Sequence, residues 1–331
     1  MPAVSVVLPA FNAVSTIFRA VRSILDQAFS NLECIVVDDG STDGTAEVLS
    51  DMCDDRLQVL SLPHQGVASA MNAGVRLARA PLIARMDADD YSHRHRLQKQ
   101  IEYLHECDVD VTGCQVHILN GKGSPVMSMK RYEHWINHET PNHEMIMALR
   151  FVELPIVNPT ILAKRSYFEL ECRSDDFPED YDLMLRAASA GLRFGKVPEK
   201  LLDWVDSTGR LTRSDVRYTD AAFMQCRRYH LRNGPLHDVR QVDLWGLGQT
   251  GKPWLRWLKD QGFTVRQAYE VDSRKVGKKI QGVPVLPPEQ LPTADGTPLI
   301  VAVGAAGARE LIRQHIQPHG YKMGQDTWFV A

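Results

Sequence analysis

Carboxylates gather at three places in this chain. Asp87-Ala88-Asp89-Asp90 sets three acids within four residues, Asp38-Asp39 runs into Gly40-Ser41-Thr42-Asp43, and Glu179-Asp180 follows Pro178. Neighbouring carboxylates repel, so they coexist only with a cation nearby or with a proton retained. Their hard oxygens suit Mg²⁺ or Mn²⁺, which commonly takes one or two protein carboxylates and fills its shell from substrate phosphates. A carboxylate at the end of a strand can also accept from a base N–H or a ribose hydroxyl, and Gly40 permits a tight turn and close backbone approach. Plainer readings compete with these. Asp87 to Asp90 could be a solvated loop in which Asp90 caps the next helix. Asp38 to Asp43 could be a turn with a cap, and Glu179-Asp180 could simply complement a helix dipole. A fourth pattern, Gly246-Leu-Gly248-Gln-Thr-Gly251, has the spacing of a dinucleotide-binding turn, with Asp272 near the place where a ribose-binding acid is expected. Lys252 follows, but Pro253 stands where a P-loop needs Ser or Thr.

The elements around these residues alternate strand and helix. Val4–Leu8 is an apolar strand, followed by a helix whose stripe reads Val14, Ile17, Phe18, Val21, Ile24 and Leu25. Strand Cys34–Val37 runs into Asp38. A short helix near Ala46–Leu49, a strand at Leu57–Leu62 and a helix from about Val67 to Ala78 come next. Strand Leu82–Met86 then ends in Asp87. Alternation of this kind predicts a mostly parallel sheet covered on both faces, with ligands outside the carboxyl ends of its strands. Two acidic clusters at two such ends are therefore expected on one rim. Gly121–Pro125 reads as a turn, and the stretch from Val126 to Asn158 has only weak periodicity. Helices are expected from Glu179 to Ala190 and from Asp215 to Arg232. Asn233-Gly234-Pro235 breaks the pattern, which sets the expected domains at 1–234 and 235–331. The second restarts the alternation with a strand at Val242–Trp245, further strands near 265–271 and 299–303, and a helix at Ala308–Ile316.

Composition narrows the classes. With 331 residues the chain suffices for two domains, and a formal charge of −3 supplies no general basic field for nucleic acid. Cys34, Cys53, Cys107, Cys114, Cys172 and Cys226 are scattered without a CxxC pair, which predicts reduced thiols and a cytoplasmic chain. No signal peptide and no membrane span are expected. A lipid-linked partner would be met by peripheral association with the membrane.

Four motifs occur in order within the first ninety residues: Val6-Val-Leu-Pro9-Ala-Phe11-Asn12, Val36-Val-Asp38-Asp39-Gly-Ser-Thr-Asp43, Gly66-Val-Ala-Ser-Ala-Met-Asn72-Ala-Gly74 and Met86-Asp87-Ala-Asp89-Asp90. Together they resemble the family 2 glycosyltransferases of GT-A fold. The likeness continues through Arg96-Leu97 and, more loosely, to Pro178-Glu179-Asp180-Tyr-Asp182-Leu-Met-Leu-Arg186, covering about residues 1–210. It implies a GT-A type nucleotide-diphospho-sugar transferase domain with a mostly parallel sheet. It also implies inverting transfer from a UDP-, dTDP- or GDP-sugar to a saccharide, lipid-linked saccharide or protein. Carried over by motif, Pro9, Phe11, Asn12, Asp38, Asp39, Asn72 and Asp87 would line the nucleotide site, with Asp39 on the base and Asp87 near the ribose. Asp89, with Asp87, would bind the Mg²⁺ or Mn²⁺ that bridges the diphosphate. Asp180 would be the catalytic base, with Glu179 second.

This sequence departs from the family in two places. Asn158 precedes Pro159-Thr160 where many relatives have histidine, and Val205 follows Trp204 where many have arginine. These departures motivate the alternative of a nucleotide-sugar-binding module without turnover. His134, His138 and His143 read as surface or loop residues, and Arg94, His95, Arg96 and Lys99 as a solvated basic helix face. The last hundred residues resemble small Rossmann-like domains appended to some bacterial sugar-modifying enzymes. Gly246, Gly248, Gly251 and Asp272 make a candidate second nucleotide site there. An NAD(H)-binding dehydrogenase or sensor is the alternative function it raises, and a docking or oligomerisation domain is the plainer one. Trp254 and Trp257 read equally as core or as a packing surface.

Overall fold

The computed structural model describes residues 1–173, 177–206 and 215–331. The chain divides into two compact units, one of residues 1–146 with 155–226, the other of residues 147–154 with 227–331.

The first unit is built on an eight-stranded sheet. In chain order its strands are β1 (Val4–Ala10), β2 (Leu32–Asp38), β3 (Leu57–Ser61), β4 (Leu82–Arg85), β5 (Tyr91–Ser92), β6 (Val111–Asn120), β7 (Leu162–Lys164) and β8 (Phe194–Asp206), and in space they run β3-β2-β1-β4-β7-β6-β8-β5. The pairs β3–β2, β2–β1 and β1–β4 are parallel, so the carboxyl ends of β1, β2 and β4 share a rim. Strand β7 reverses the direction against β4 and β6, and β5 runs antiparallel to β8. Strand order turns back across β1 between β2 and β4, which is the switch point where such sheets bind ligands. The core strands are continuous apolar runs because both faces are covered: every residue of β2 is buried.

Helix α1 (Ile17–Leu25) buries Ile17, Val21, Ile24 and Leu25, but Val14 lies outside it and is exposed, as is Phe18. The apolar stripe is therefore narrower than the sequence pattern suggested. Helix α2 is Thr45–Ser50, α3 is Val67–Leu77 and α4 is Arg96–Glu106. Gly74 in α3 faces the sheet so closely that a Cβ there would sit 2.3 Å from Val7 Cγ1 and 3.1 Å from Val37 Cγ2. The weakly periodic middle holds two helices, α5 (Lys130–His138) and α6 (His143–Leu149). Helix α7 (Arg165–Phe168) follows β7, and α8 (Glu179–Ser189) begins directly after Pro178. The segment expected as one helix from Asp215 is a short 3₁₀ turn, Val216–Tyr218, then a helix at Asp220–Asn233. The division between the units falls inside that helix.

The second unit has its own six-stranded sheet, with strands β9 (Gln241–Trp245), β10 (Thr264–Tyr269), β11 (Lys279–Ile280), β12 (Val283–Leu286), β13 (Leu299–Val301) and β14 (Thr327–Phe329) in the spatial order β11-β12-β10-β9-β13-β14. All its pairs are parallel except β11–β12. Trp254 is fully buried and meets Trp257 edge-on at 5.3 Å. Among the described residues, no helix is long and apolar enough to cross a membrane.

Candidate active site

The rim of the first sheet is assembled from four loops that hold one another. Asn12, at the end of β1, takes a left-handed backbone with φ of 49°. Its side-chain oxygen accepts the Thr42 N–H at 2.9 Å, and its own N–H donates to Ser41 Oγ at 2.9 Å. Asp43 accepts the Val14 N–H at 3.0 Å, which ties the loop after β1 to the loop after β2. Phe11 remains exposed beyond this lattice and stacks on His64, with ring centroids 4.1 Å apart. An exposed aromatic face held in place is a ready platform for a planar base.

Asp38 and Asp39 are both buried. Asp38 Oδ1 accepts the Ser41 N–H at 3.1 Å. Asp39 closes the rim on the other side: its two oxygens accept the Gln65 and Gly66 N–H groups, each at 2.8 Å, and His64 Nδ1 lies 2.9 Å from Oδ2. Oδ2 thus meets both Gly66 and His64, while the Gln65 contact leaves acceptor capacity on Oδ1. Asn72 points elsewhere. Its amide donates to the Cys172 carbonyl at 2.7 Å and accepts the Cys172 N–H at 2.8 Å. It therefore clamps the segment that leads toward α8. Arg186 of α8 grips the same segment through the carbonyls of Leu170 and Glu171, at 2.5 and 2.6 Å.

Asp87, Ala88 and Asp89 are half-buried on the rim beyond β4, while Asp90 is buried. Asp90 does not cap a helix. Its Oδ1 accepts the Val205 N–H at 2.8 Å, anchoring the acidic loop to β8 at the position of one of the family departures. Arg85, the last residue of β4, was hidden in the sequence as part of an apolar strand. It is buried, its Nε donates to Asp87 Oδ1 at 3.0 Å, and its Nη1 lies 3.9 Å from Glu179 Oε1. Arg96, expected on a solvated basic face, is wholly buried instead. Its Nη2 donates to the Arg85 carbonyl at 2.8 Å and its Nε to Gln100 Oε1 at 3.0 Å, so its charge is spent inside the scaffold under the rim.

The two acids of α8 occupy different surroundings. Glu179 is buried, with Oε2 accepting the Tyr218 hydroxyl and Oε1 facing Arg85. Asp180 is half-buried, and its Oδ1 accepts the Tyr181 N–H at 2.7 Å. Loss of water around Asp180 and the negative charge of Glu179 push its carboxyl up to about 7, against the opposing pull of Arg85 and the Tyr181 N–H. Tyr218 was also missed in the sequence, where it sat within an apparently polar helix. Burial and the charge of Glu179 raise its hydroxyl far above the ordinary range, so it stays a neutral donor.

The rim acids fit a divalent ion by chemistry. Among the described residues no group of three or more His, Cys, Asp and Glu side chains is placed to hold an ion unaided. An ion at Asp89 and Asp87 would draw the rest of its shell from water and a bound phosphate, a common arrangement for Mg²⁺. His134 and His138 are neighbours on an exposed face, with rings 4.9 Å apart, and His143 is separate, accepting the Phe194 N–H at 3.1 Å.

In the second unit the three glycines do form one turn. Gly246 has φ of 98°, and a Cβ on Gly251 would fall 1.9 Å from the Gly246 carbonyl, so both are demanded by packing. Gly248 faces open space. The expected acid does not join them: Asp272 pairs with Arg274 at 2.9 Å. The acid that meets the loop is Glu270, directly after β10, whose Oε2 accepts the Leu247 N–H at 2.9 Å and also pairs with Lys275 at 3.1 Å. The signal available in the sequence was that Glu270 comes first after the strand.

A mostly parallel sheet with a switch-point rim bearing an aromatic platform, two acidic loops and an acid pair at a helix start has the layout of a GT-A fold. Comparison with known proteins agrees. The family model for glycosyl transferase family 2 matches residues 5–170, just over half of the chain, and the chain belongs to that family. The O-antigen biosynthesis glycosyltransferase WbnJ of Escherichia coli is 26% identical over 223 residues, which is 64% of this chain and 81% of that one. The chain spans much less of two other curated relatives, 28% of an uncharacterized glycosyltransferase of Rickettsia conorii and 30% of the bifunctional glycosyltransferase pgtA of Dictyostelium discoideum. Among solved structures, Staphylococcus aureus TarS 1-349 in complex with UDP-GlcNAc matches with a TM-score of 0.54 at 19% identity, covering 71% of this chain and 67% of that one. The mannosyltransferase PcManGT of Pyrobaculum calidifontis, in complex with GDP-Man and Mn²⁺, matches at 0.50 and 20% identity, covering 79% and 69%.

Proposed function

We propose that this chain is an inverting glycosyltransferase that moves a sugar from a nucleotide-diphosphate donor to a hydroxyl acceptor. The donor is a UDP-, dTDP- or GDP-sugar, and the acceptor a saccharide, lipid-linked saccharide or protein. The observation that carries the mechanism is the contrast within the acid pair. Glu179 is buried with both oxygens facing partners, whereas Asp180 is half-buried and its proton affinity is raised. A carboxylate in that state is suited to take a hydroxyl proton at neutral pH. In the proposed step Asp180 accepts the acceptor hydroxyl's proton as that oxygen bonds to the anomeric carbon. The anomeric bond to the diphosphate breaks on the opposite face, and configuration inverts.

Phe11 offers the face on which the base stacks, and Asp38, Asp39, Pro9 and Asn12 shape the pocket around it. Asp87 lies by the ribose, and Asp89 with Asp87 holds Mg²⁺ or Mn²⁺. That ion, when bound, stabilises the negative charge of the departing nucleoside diphosphate. Asn72 acts by clamping Cys172 and so supports the approach to α8. Peripheral association with a membrane would accompany a lipid-linked acceptor.

Two neighbours lend support as relatives of fold: the TarS structure holds UDP-GlcNAc, and the PcManGT structure holds GDP-Man and Mn²⁺. The dehydrogenase alternative is not favoured, since the family match lies in residues 5–170, away from Gly246 and Glu270. The test is nucleoside diphosphate release from a panel of sugar nucleotides by the wild type and by Asp180→Asn. The variant is expected to bind donor and to lose about 10²–10⁴-fold in turnover. Turnover unchanged in Asp180→Asn would remove Asp180 from the mechanism.

A further inference from the structure

One guanidinium touches a carboxylate from each of the two motifs that the transfer brings together. Arg85 Nε donates to Asp87 Oδ1 at 3.0 Å, and Arg85 Nη1 lies 3.9 Å from Glu179 Oε1. Arg85 has little freedom to adjust. Its side chain is only 6% exposed, its N–H donates to the Ile161 carbonyl at 2.8 Å, and its carbonyl accepts from Arg96 Nη2 at 2.8 Å. Glu179 is gripped from its other side by the Tyr218 hydroxyl. Tyr218 is itself seated by the 3₁₀ turn Val216–Tyr218, which Asp215 caps by accepting the Arg217 N–H at 2.9 Å. Glu179 opens α8, and Asp180 is the next residue on the same turn. A planar fork held by its own backbone fixes the separation of two carboxylates, which a flexible ammonium does not.

We propose that Arg85 and Tyr218 are positioning residues for the transfer: they lock Glu179, and with it the first turn of α8, at a set distance from Asp87, so that Asp180 faces the attacking hydroxyl opposite the departing diphosphate. The proposal rests on the reading of Asp180 as the base. Neither residue touches the reacting atoms. Tyr218 acts through Glu179, so its alteration lowers the rate and spares donor affinity, whereas altering Arg85 also loosens Asp87 in the donor site. A base displaced by about an ångström costs on the order of a hundredfold in rate.

The experiment uses the full chain as wild type, Arg85→Lys and Tyr218→Phe. Thermal melts check folding, calorimetry with UDP, dTDP or GDP and Mn²⁺ reads binding, and nucleoside diphosphate release from the UDP-, dTDP- or GDP-sugar that the wild type turns over reads turnover. Tyr218→Phe removes one oxygen and keeps the ring, so it remains informative where Arg85→Lys fails to fold. For Tyr218→Phe the expected result is nucleoside diphosphate binding within about threefold of wild type, with release falling about tenfold or more at saturating donor; Arg85→Lys loses release at saturating donor by at least as much, with affinity also weakened through Asp87. Release equal to wild type in the folded variants overturns the proposal, as does a loss confined to affinity. A wild type that binds none of UDP, dTDP and GDP with Mn²⁺ overturns the donor reading itself, and this inference with it, before any variant is compared.

Discussion

Ionising Asp180 places a second negative charge beside Glu179 in a half-buried site, and that cost is paid in stability. The folded carboxyl holds its proton up to about 7, whereas an unfolded aspartate releases it near 3.9. Between those values the native state binds more protons than the unfolded one, so the contribution of this group to stability falls as pH rises through that window. Asp180→Asn is therefore expected to melt above wild type at pH 8, with the difference shrinking toward pH 4, as read by calorimetry. Activity runs the other way. A base must be deprotonated to act, so kcat/KM should climb along an acidic limb centred near 7 and level off above it. A flat profile from pH 5 to 8 would contradict the assigned base.

At the scale of elements, the motifs were legible where strand ends made them so, because an acid that follows a buried strand has few places to be other than the rim. Their individual duties were less legible. Arg85 looked like one residue of an apolar strand, and Arg96 like one of a basic run, because sequence does not say which cation has its charge answered inside the fold. A spacing rule pointed to Asp272, yet the strand ends two residues earlier than its pattern suggested and brings Glu270 to the loop. The Asn72-Ala-Gly74 motif turns out to serve architecture. Gly74 lets α3 approach Val7 and Val37, and Gly74→Ala should cost about 1–3 kcal/mol in denaturant unfolding through overpacking. A Gly74→Ala chain as stable as wild type would mean that α3 can shift away from the sheet at little cost.

For the whole molecule, two sheets each carry a reversal of strand order, and the rim that gathers acids from separate motifs is the one in the first unit. That rim is the proposed place of donor and metal, whereas the glycine turn of the second unit meets the single acid Glu270 through the Leu247 N–H. The alternation of strands and helices made both sheets legible. The middle stretch was not, since α5 and α6 are short helices whose packing does not impose one clean period. The most direct measurement is a thermal-shift screen of UDP-, dTDP- and GDP-sugars with and without Mn²⁺, on wild type and Asp89→Ala. A ligand that binds the native state raises the melting temperature with its occupancy. The predicted result is a Mn²⁺-dependent rise with one donor class that disappears in Asp89→Ala. A rise with NAD(H) alone, and none with any sugar nucleotide, would contradict it and move the function to the turn at Gly246.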